Sequence, residues 1–101
     1  MDKDGYPDDA ELEQIRTWDV KDSLGLVEFL CERWRYSEYF TFDPSAGTLE
    51  LHTAGWSGNE DLVSALHANT LFWTLYWQMD KRGGHYYFDD HMVSKDLKWA
   101  K

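Results

Sequence analysis

The sequence predicts an α+β fold in which a small, mostly antiparallel sheet of four strands carries helices on one face, in the order α-α-β-β-α-β-β. Three observations lead to this prediction. Apolar residues follow helical spacing near the N-terminus, the spacing changes to alternation at residue 38, and a helix-start motif then precedes a second, aromatic pair of strands. At 101 residues, the chain has room for a single domain, residues 1–101, with one core.

The N-terminal third predicts the two helices. Asp8 is a good N-cap, and Glu11 stands three residues later, as in a capping box. A second helix is expected to start at Asp22 or Ser23, because either side chain can cap it. An apolar stripe at helical spacing follows, formed by Leu26, Val27, Leu30 and Trp34.

A hairpin follows these helices. Residues 38–43 and 48–52 both alternate in polarity, and the turn-forming stretch "PSAG" lies between them. The next stretch, "TAGWSGNEDL", has the pattern S-x-x-E from Ser57 to Glu60, which is typical of a capping box. It predicts a strand-to-helix turn with Ser57 as the N-cap and Asn69 closing the helix.

Residues 70–80 fit two structures. A strand places Trp73, Leu75, Trp77 and Met79 on one face, whereas a helix forms an equally clean stripe of Phe72, Leu75, Tyr76 and Met79. The aromatic density and the following "KRGGHYYFD" favour a strand, a Gly-Gly turn and a second strand. The final "SKDLKWAK" predicts a last helical turn.

Charge and aromatic content restrict the class of partner. The net charge is −9, which disfavours direct binding to nucleic acid or to an anionic membrane, because phosphate binding uses clusters of Lys and Arg. It permits a basic protein partner, although solubility alone also explains an acidic surface. Aromatic residues make up 17% of the chain, more than its core needs, so part of them is expected on a contact surface. Such a surface suits homodimers as well as heterocomplexes.

The cysteine and histidine content and the N-terminal residues predict the compartment and the cofactors of the protein. A single cysteine, Cys31, provides no disulfide framework, and no apolar stretch is long enough for a membrane span. The acidic start "MDKDGYPDD" is unlike a signal peptide, so a cytoplasmic protein is expected. The four histidines and Cys31 lack zinc-ligand spacing, although His52 and His85 can approach each other if their strands pair. We expect surface or hydrogen-bonded histidines, no metal and no cofactor.

The stretch "GWSGN" nearly matches the nucleophile elbow G-x-S-x-G, but Asn59 occupies the place of the second glycine. Nothing in the sequence places a histidine against Ser57, so catalysis is disfavoured. A glycine-rich turn before a helix can also hold an anion through its backbone N–H groups. Glu60 and Asp61 oppose this, because they bring negative charge into the first turn.

Three segments, "DGYPDDAELEQIRTWD", "LHTAGWSGNEDLVSAL" and "FWTLYWQMDKRGGHYYF", resemble a family of small uncharacterised proteins of bacteriophages and prophages. The resemblance covers most of the chain, but residues 34–47 and the final "DDHMVSKDLKWAK" lie outside it. It implies a setting, a phage-encoded protein in the bacterial cytoplasm, and no mechanism.

The leading hypothesis is therefore a non-enzymatic interaction protein that binds a host or phage protein. A sharper version is an acidic inhibitor of a nucleic-acid-handling protein, which needs carboxylates concentrated on one face. The candidate interaction residues are Asp8, Asp9, Glu11 and Glu13 of the first helix, together with Trp56.

Two other readings stay open. One is a small-ligand or anion-binding domain, or a minor enzyme, with a pocket lined by Trp56, Ser57, Asn59, Arg82 and His85. It requires the turn at residues 55–60 and the turn at residues 82–85 to lie side by side. The other is purely structural, because helix caps and a Gly-Gly hairpin explain each motif by folding alone.

Overall fold

A computed structural model describes residues 5–89 of the protein. Four helices and four strands follow one another in the order α1 (Asp9–Thr17), α2 (Ser23–Arg33), β1 (Phe40–Asp43), β2 (Thr48–His52), α3 (Ser57–Ala68), α4 (Thr70–Tyr76), β3 (Trp77–Lys81) and β4 (His85–Phe88). Short 3-10 turns precede α2 and β1. The helical turn predicted for "SKDLKWAK" lies outside the described residues.

The strands form one antiparallel sheet in the order β1-β2-β4-β3. The predicted hairpin is confirmed: Phe40 pairs with Leu51, and Phe42 with Leu49. One face of the sheet is buried beneath the helices, as Leu49, Leu51 and Phe88 show by their exposure of 2% or less. Glu50, between Leu49 and Leu51, is exposed on the opposite face. The predicted α+β class is confirmed.

Each helix contributes apolar side chains to a single cluster above the sheet. The fully buried members from α1 to α4 are Ile15, Leu26, Leu30, Leu62, Leu66, Phe72 and Tyr76. Burial of such side chains stabilises a fold by about 1.5–3 kcal/mol each. The cluster therefore holds the helices against the sheet and fixes where α3 and α4 meet β3 and β4.

Residues 70–80 differ from the sequence-based prediction of a strand. The first part is the helix α4, and β3 begins directly after it at Trp77. Asn69 starts the helix, because its side-chain oxygen accepts a hydrogen bond from the backbone N–H of Phe72. Phe72 and Tyr76, one helical turn apart, are both completely buried. The helical stripe therefore prevails up to Tyr76, and the strand alternative applies only beyond it.

The start of α3 also differs from the prediction. Ser57 is the first helical residue and not the N-cap; Trp56 occupies the cap position without a side-chain hydrogen bond. The predicted capping box therefore does not form, and Glu60 instead accepts from the Thr53 hydroxyl at 3.4 Å. The capping box of α1 is confirmed, since the side chains of Asp8 and Glu11 each accept from the other's backbone N–H.

A buried asparagine joins each end of α3 to a distant segment. Asn59 accepts from the backbone N–H of Arg35 at 3.0 Å and donates to the carbonyls of Arg35 and Thr53 at 2.9 and 3.3 Å. At the other end, Asn69 donates to the carbonyls of Ile15 and Trp18, both at 3.0 Å. These bonds satisfy backbone groups that burial would otherwise leave unpaired. They also fix the position of α3 relative to the end of α1 and to the segment between α2 and β1, which contains Arg35.

Candidate functional site: a groove beside the edge strand

A groove of about 470 Å³ lies between α3, α4 and the strands β3 and β4. We call it the tryptophan groove, and it is lined by Val63, Ser64, His67, Trp73, Trp77, Asp80 and Tyr86. Val63 forms a buried apolar floor, whereas Trp77 is 39% exposed on the edge strand. An open cleft with aromatic walls and a few polar groups is the usual form of a binding site.

Aromatic rings form the walls of the tryptophan groove. The rings of Trp73 and Trp77 are nearly parallel, at 15°, with their centroids 6.2 Å apart. Tyr86 stands edge-on to Trp73 at 6.2 Å, and His67 meets the same indole edge-on at 4.6 Å. Trp73 and Tyr86 also pack against the buried core. The core thus holds these two rings in place, and they in turn support the more exposed Trp77.

A β-bulge brings the carboxylate of Asp80 to the same face as Trp77. Along β3, Trp77 pairs with Phe88 and Asp80 pairs with Tyr86, although Trp77 and Asp80 are three residues apart. Phe88 and Tyr86 are two residues apart on β4 and therefore share a face. The register shift between Trp77 and Met79 supplies the extra residue. In a regular strand, Trp77 and Asp80 would point to opposite faces.

The carboxylates of Asp80 and Glu60 place negative charge near the Tyr86 hydroxyl in the tryptophan groove. Burial raises the pKa of the Tyr86 hydroxyl above its ordinary value, and the negative charges of Asp80 and Glu60 raise it further. Both carboxylates therefore lie close enough to disfavour a second negative charge on the tyrosine. The same field favours a positive charge in the tryptophan groove.

Exposed apolar side chains also lie on α4 and β3. Leu71, Leu75, Trp77 and Met79 are 64%, 37%, 39% and 50% exposed, but Met79 pairs with Tyr87 and therefore points to the face of the sheet opposite Trp77. They lie in a stretch, residues 62–79, that contains no Asp, Glu, Lys or Arg in a chain with 29% charged residues. β3 is at the end of the sheet, so one of its edges pairs with no strand among residues 5–89. Exposed apolar patches beside an open strand edge are typical of interaction surfaces.

The structure brings together the two turns of the predicted ligand site. The backbone N–H of Thr53 donates to the carbonyl of Gly84 at 2.9 Å. Gly84 has φ +82, and a Cβ there would collide with the Thr53 hydroxyl, so only glycine fits this approach. The proximity that the small-ligand hypothesis requires is thus present in the backbone.

The side chains predicted for that site are otherwise engaged or dispersed. Asn59 is completely buried and bonded to backbone groups, so it does not point into a cavity. Trp56 packs against Tyr6 with ring centroids 4.8 Å apart, and the Arg35 guanidinium lies 5.0 Å from the centre of its ring.

Two of the remaining predicted residues are exposed, and the third belongs to the sheet. Ser57 is exposed, with its hydroxyl 3.4 Å from that of Tyr6. Arg82 is exposed in the Gly-Gly turn. His85 pairs with His52 across β2 and β4, which confirms the expected approach, and their Nδ1 atoms are 2.6 Å apart. One ring must donate and the other accept, so the pair is a hydrogen-bonded crosslink on the outer face.

Two of the four carboxylates predicted as an interaction face on α1, those of Asp8 and Glu11, serve the fold. Glu11 is only 8% exposed and accepts a hydrogen bond from the Arg33 guanidinium. Burial alone would raise the pKa of Glu11, but hydrogen bonds, including those from the Asp8 backbone N–H and Arg33, lower it to about 2. Asp8 caps the helix and Glu13 pairs with Arg16 at 3.1 Å, while Asp9 is exposed in the first turn.

No family model, curated protein or solved structure matches the chain. Among residues 5–89, no three or more His, Cys, Asp and Glu side chains are arranged to hold a metal ion. Over the same residues, no helix has the length and apolar character needed to cross a membrane. The arguments for function therefore rest on the geometry of this chain.

The tryptophan groove is a site that the sequence alone does not predict. One signal for it was present, because the aromatic surplus and the shared strand face of Trp73 and Trp77 already indicated an exposed aromatic surface. Asp80 carried no such signal. Its place beside Trp77 depends on the β-bulge, and that bulge has no glycine or proline to mark it.

Proposed function

We propose that the chain is a non-enzymatic protein-interaction module that binds a basic segment of a host or phage protein through the surface formed by α4 and β3. The observation that carries this proposal is the tryptophan groove, whose exposed Trp77 belongs to β3, the strand at the end of the sheet formed by residues 5–89. The resemblance to small phage proteins supplies the host or phage setting.

Three properties of this surface favour a protein over a small molecule. Leu71, Leu75 and Met79 are exposed outside the tryptophan groove, and only a ligand larger than a small molecule could cover any of them together with the groove. The outer edge of β3, which pairs with no other described strand, offers backbone groups to an extended segment, a common mode of peptide recognition. The net charge of −9 and the carboxylate of Asp80 favour a basic partner.

The other two hypotheses have less support. The acidic-inhibitor version relies on carboxylates of α1, yet Glu11 is paired with Arg33 and Glu13 with Arg16. The small-ligand site relies on Asn59, which is buried and bonded to backbone groups. The α4 and β3 surface uses side chains that the fold leaves exposed.

Selection of binders from a library of random peptides tests the proposed function. We expect the protein to enrich peptides of net positive charge, because a basic peptide complements both Asp80 and the overall charge. Trp77→Ala should abolish this enrichment, whereas Tyr39→Ala, which removes a comparably exposed aromatic ring (43%) elsewhere, should preserve it. Enrichment of nothing, of acidic peptides, or of peptides indifferent to Trp77 would refute the proposal.

A further inference from the structure

We propose that the tryptophan groove binds the guanidinium group of an arginine side chain supplied by the partner. This inference rests on the proposed function, since it names the chemistry by which the basic segment is recognised. The groove would hold the guanidinium against the indole faces of Trp73 and Trp77, with the carboxylate of Asp80 as its ionic partner.

The walls of the tryptophan groove provide what a planar cation needs. Indole faces attract cations through the ring quadrupole, and tryptophan is the strongest of the aromatic residues in this respect. Trp73 and Trp77 present nearly parallel faces, and Tyr86 stands at 68° to Trp73, so three rings border the same cleft. Because the β-bulge places Asp80 on this face, a carboxylate lies within the aromatic cleft and not behind it.

The chain itself contains the same arrangement with an arginine in place. The Arg33 guanidinium lies 3.5 Å from the ring centre of Phe29 and donates to the carboxylate of Glu11. A second guanidinium, that of Arg35, lies over Trp56. The tryptophan groove presents the same two kinds of partner, an aromatic face and a carboxylate, and none of its described lining residues is a Lys or Arg.

The charge distribution around the tryptophan groove supports a cation as the occupant. Asp80 supplies a carboxylate among the lining residues, and burial together with the charges of Asp80 and Glu60 raises the pKa of the Tyr86 hydroxyl. A field that opposes the phenolate of Tyr86 attracts a positive group at the same place. An incoming anion would meet the negative charges of Asp80 and Glu60, and the described residues that line the cleft include no Lys or Arg.

Arginine fits this cleft better than lysine does. A guanidinium is planar, so it stacks on an indole face while its N–H groups reach a carboxylate in the same plane. It is also less strongly hydrated than an ammonium group, and its transfer into an aromatic cleft costs less. The nearly parallel faces of Trp73 and Trp77 suit a flat group and offer no such advantage to a tetrahedral one.

Three small probes test this inference on the full chain: Nα-acetyl-arginine methylamide and its lysine and citrulline counterparts. Citrulline keeps the planar shape but carries no charge. The indole N–H resonances of Trp73 and Trp77 report on binding in proton–nitrogen correlation spectra. We expect saturable shifts with the arginine compound, binding at least about threefold weaker for lysine, and no saturable shift with citrulline.

Asp80→Asn provides the decisive variant, because it removes the charge with little change in shape. It should weaken the arginine compound by about fivefold, as expected for an exposed ion pair. Asp61→Asn, an exposed position on α3 outside the tryptophan groove, should leave the affinity within about twofold. Absence of binding, equal binding of citrulline or lysine, or indifference to Asp80→Asn would overturn the inference.

This experiment separates the failure of the inference from the failure of the proposed function. If the arginine compound shifts both indoles but the peptide selection enriches nothing, the guanidinium site stands and the protein-partner function falls. If the selection enriches peptides that depend on Trp77 but not on arginine, the function stands and the arginine inference falls.

Discussion

Replacement of Asn59 by alanine is expected to lower the free energy of unfolding by about 3 kcal/mol, the sum of several unsatisfied buried backbone groups and a small cavity. The side chain is completely buried, and its three hydrogen bonds join α3 to the backbone of Arg35 and Thr53. Alanine removes the amide group that bonds to the N–H of Arg35 and to the carbonyls of Arg35 and Thr53. Urea unfolding followed by circular dichroism measures the change.

The matched control is Ser57→Ala, two residues away in the same helix turn. Ser57 is exposed and does not cap α3, so this variant should change the free energy of unfolding by no more than about 0.5 kcal/mol. A loss at Ser57 as large as that at Asn59 would contradict the observed helix start. If the Asn59→Ala variant is as stable as the wild-type protein but loses peptide binding, Asn59 contacts the ligand, as the small-ligand hypothesis predicted.

Replacement of Glu11 by glutamine is expected to lower the free energy of unfolding by about 2 kcal/mol near pH 7, because it leaves Arg33 without its charged partner. Glu11 is only 8% exposed, and its pKa is lowered from 4.5 to about 2. A pKa that is lower in the folded state stabilises the protein above the unfolded value. This stabilisation is complete above pH 4.5 and disappears as the pH falls toward 2.

The pH dependence separates this ion pair from a simple packing effect. The wild-type protein and Glu11→Gln should differ most near pH 7 and converge as the pH falls from 4.5 toward 2, since Glu11 is protonated first in the unfolded state and near pH 2 in the folded state. Glu13→Gln serves as the control, because the Glu13 side chain is 63% exposed and its pairing with Arg16 is worth little. A difference that stays constant from pH 7 to acid would argue against a role for the charge.

Local sequence patterns predicted those parts of the fold that depend on neighbouring residues. The hairpin at residues 38–52 and the capping box of Asp8 and Glu11 are of this kind, and both are present. Residues 70–80 could not be assigned in the same way, because both periodicities fit. Asn69 decides the matter by starting α4 immediately after α3, and its side chain also bonds to the end of α1.

The site depended on tertiary features that the sequence does not display. Asn59 followed a glycine-rich turn, where a polar side chain is easily taken for a ligand contact, but α3 turns it inward to the backbone of Arg35. In the tryptophan groove, Trp73 belongs to a helix and Trp77 to a strand, so no single period relates them. Asp80 joins them only through a change of register.

The measurement that tests the central claim most directly is amide hydrogen exchange of the full chain, with and without a peptide obtained by selection. If the surface formed by α4 and β3 is the contact surface, the peptide should slow exchange at residues 70–81, where open backbone groups and exposed side chains lie together. Slowed exchange confined to residues 9–17 or 53–60, with residues 70–81 unchanged, would contradict the account and return the search to α1 or to the Trp56 turn.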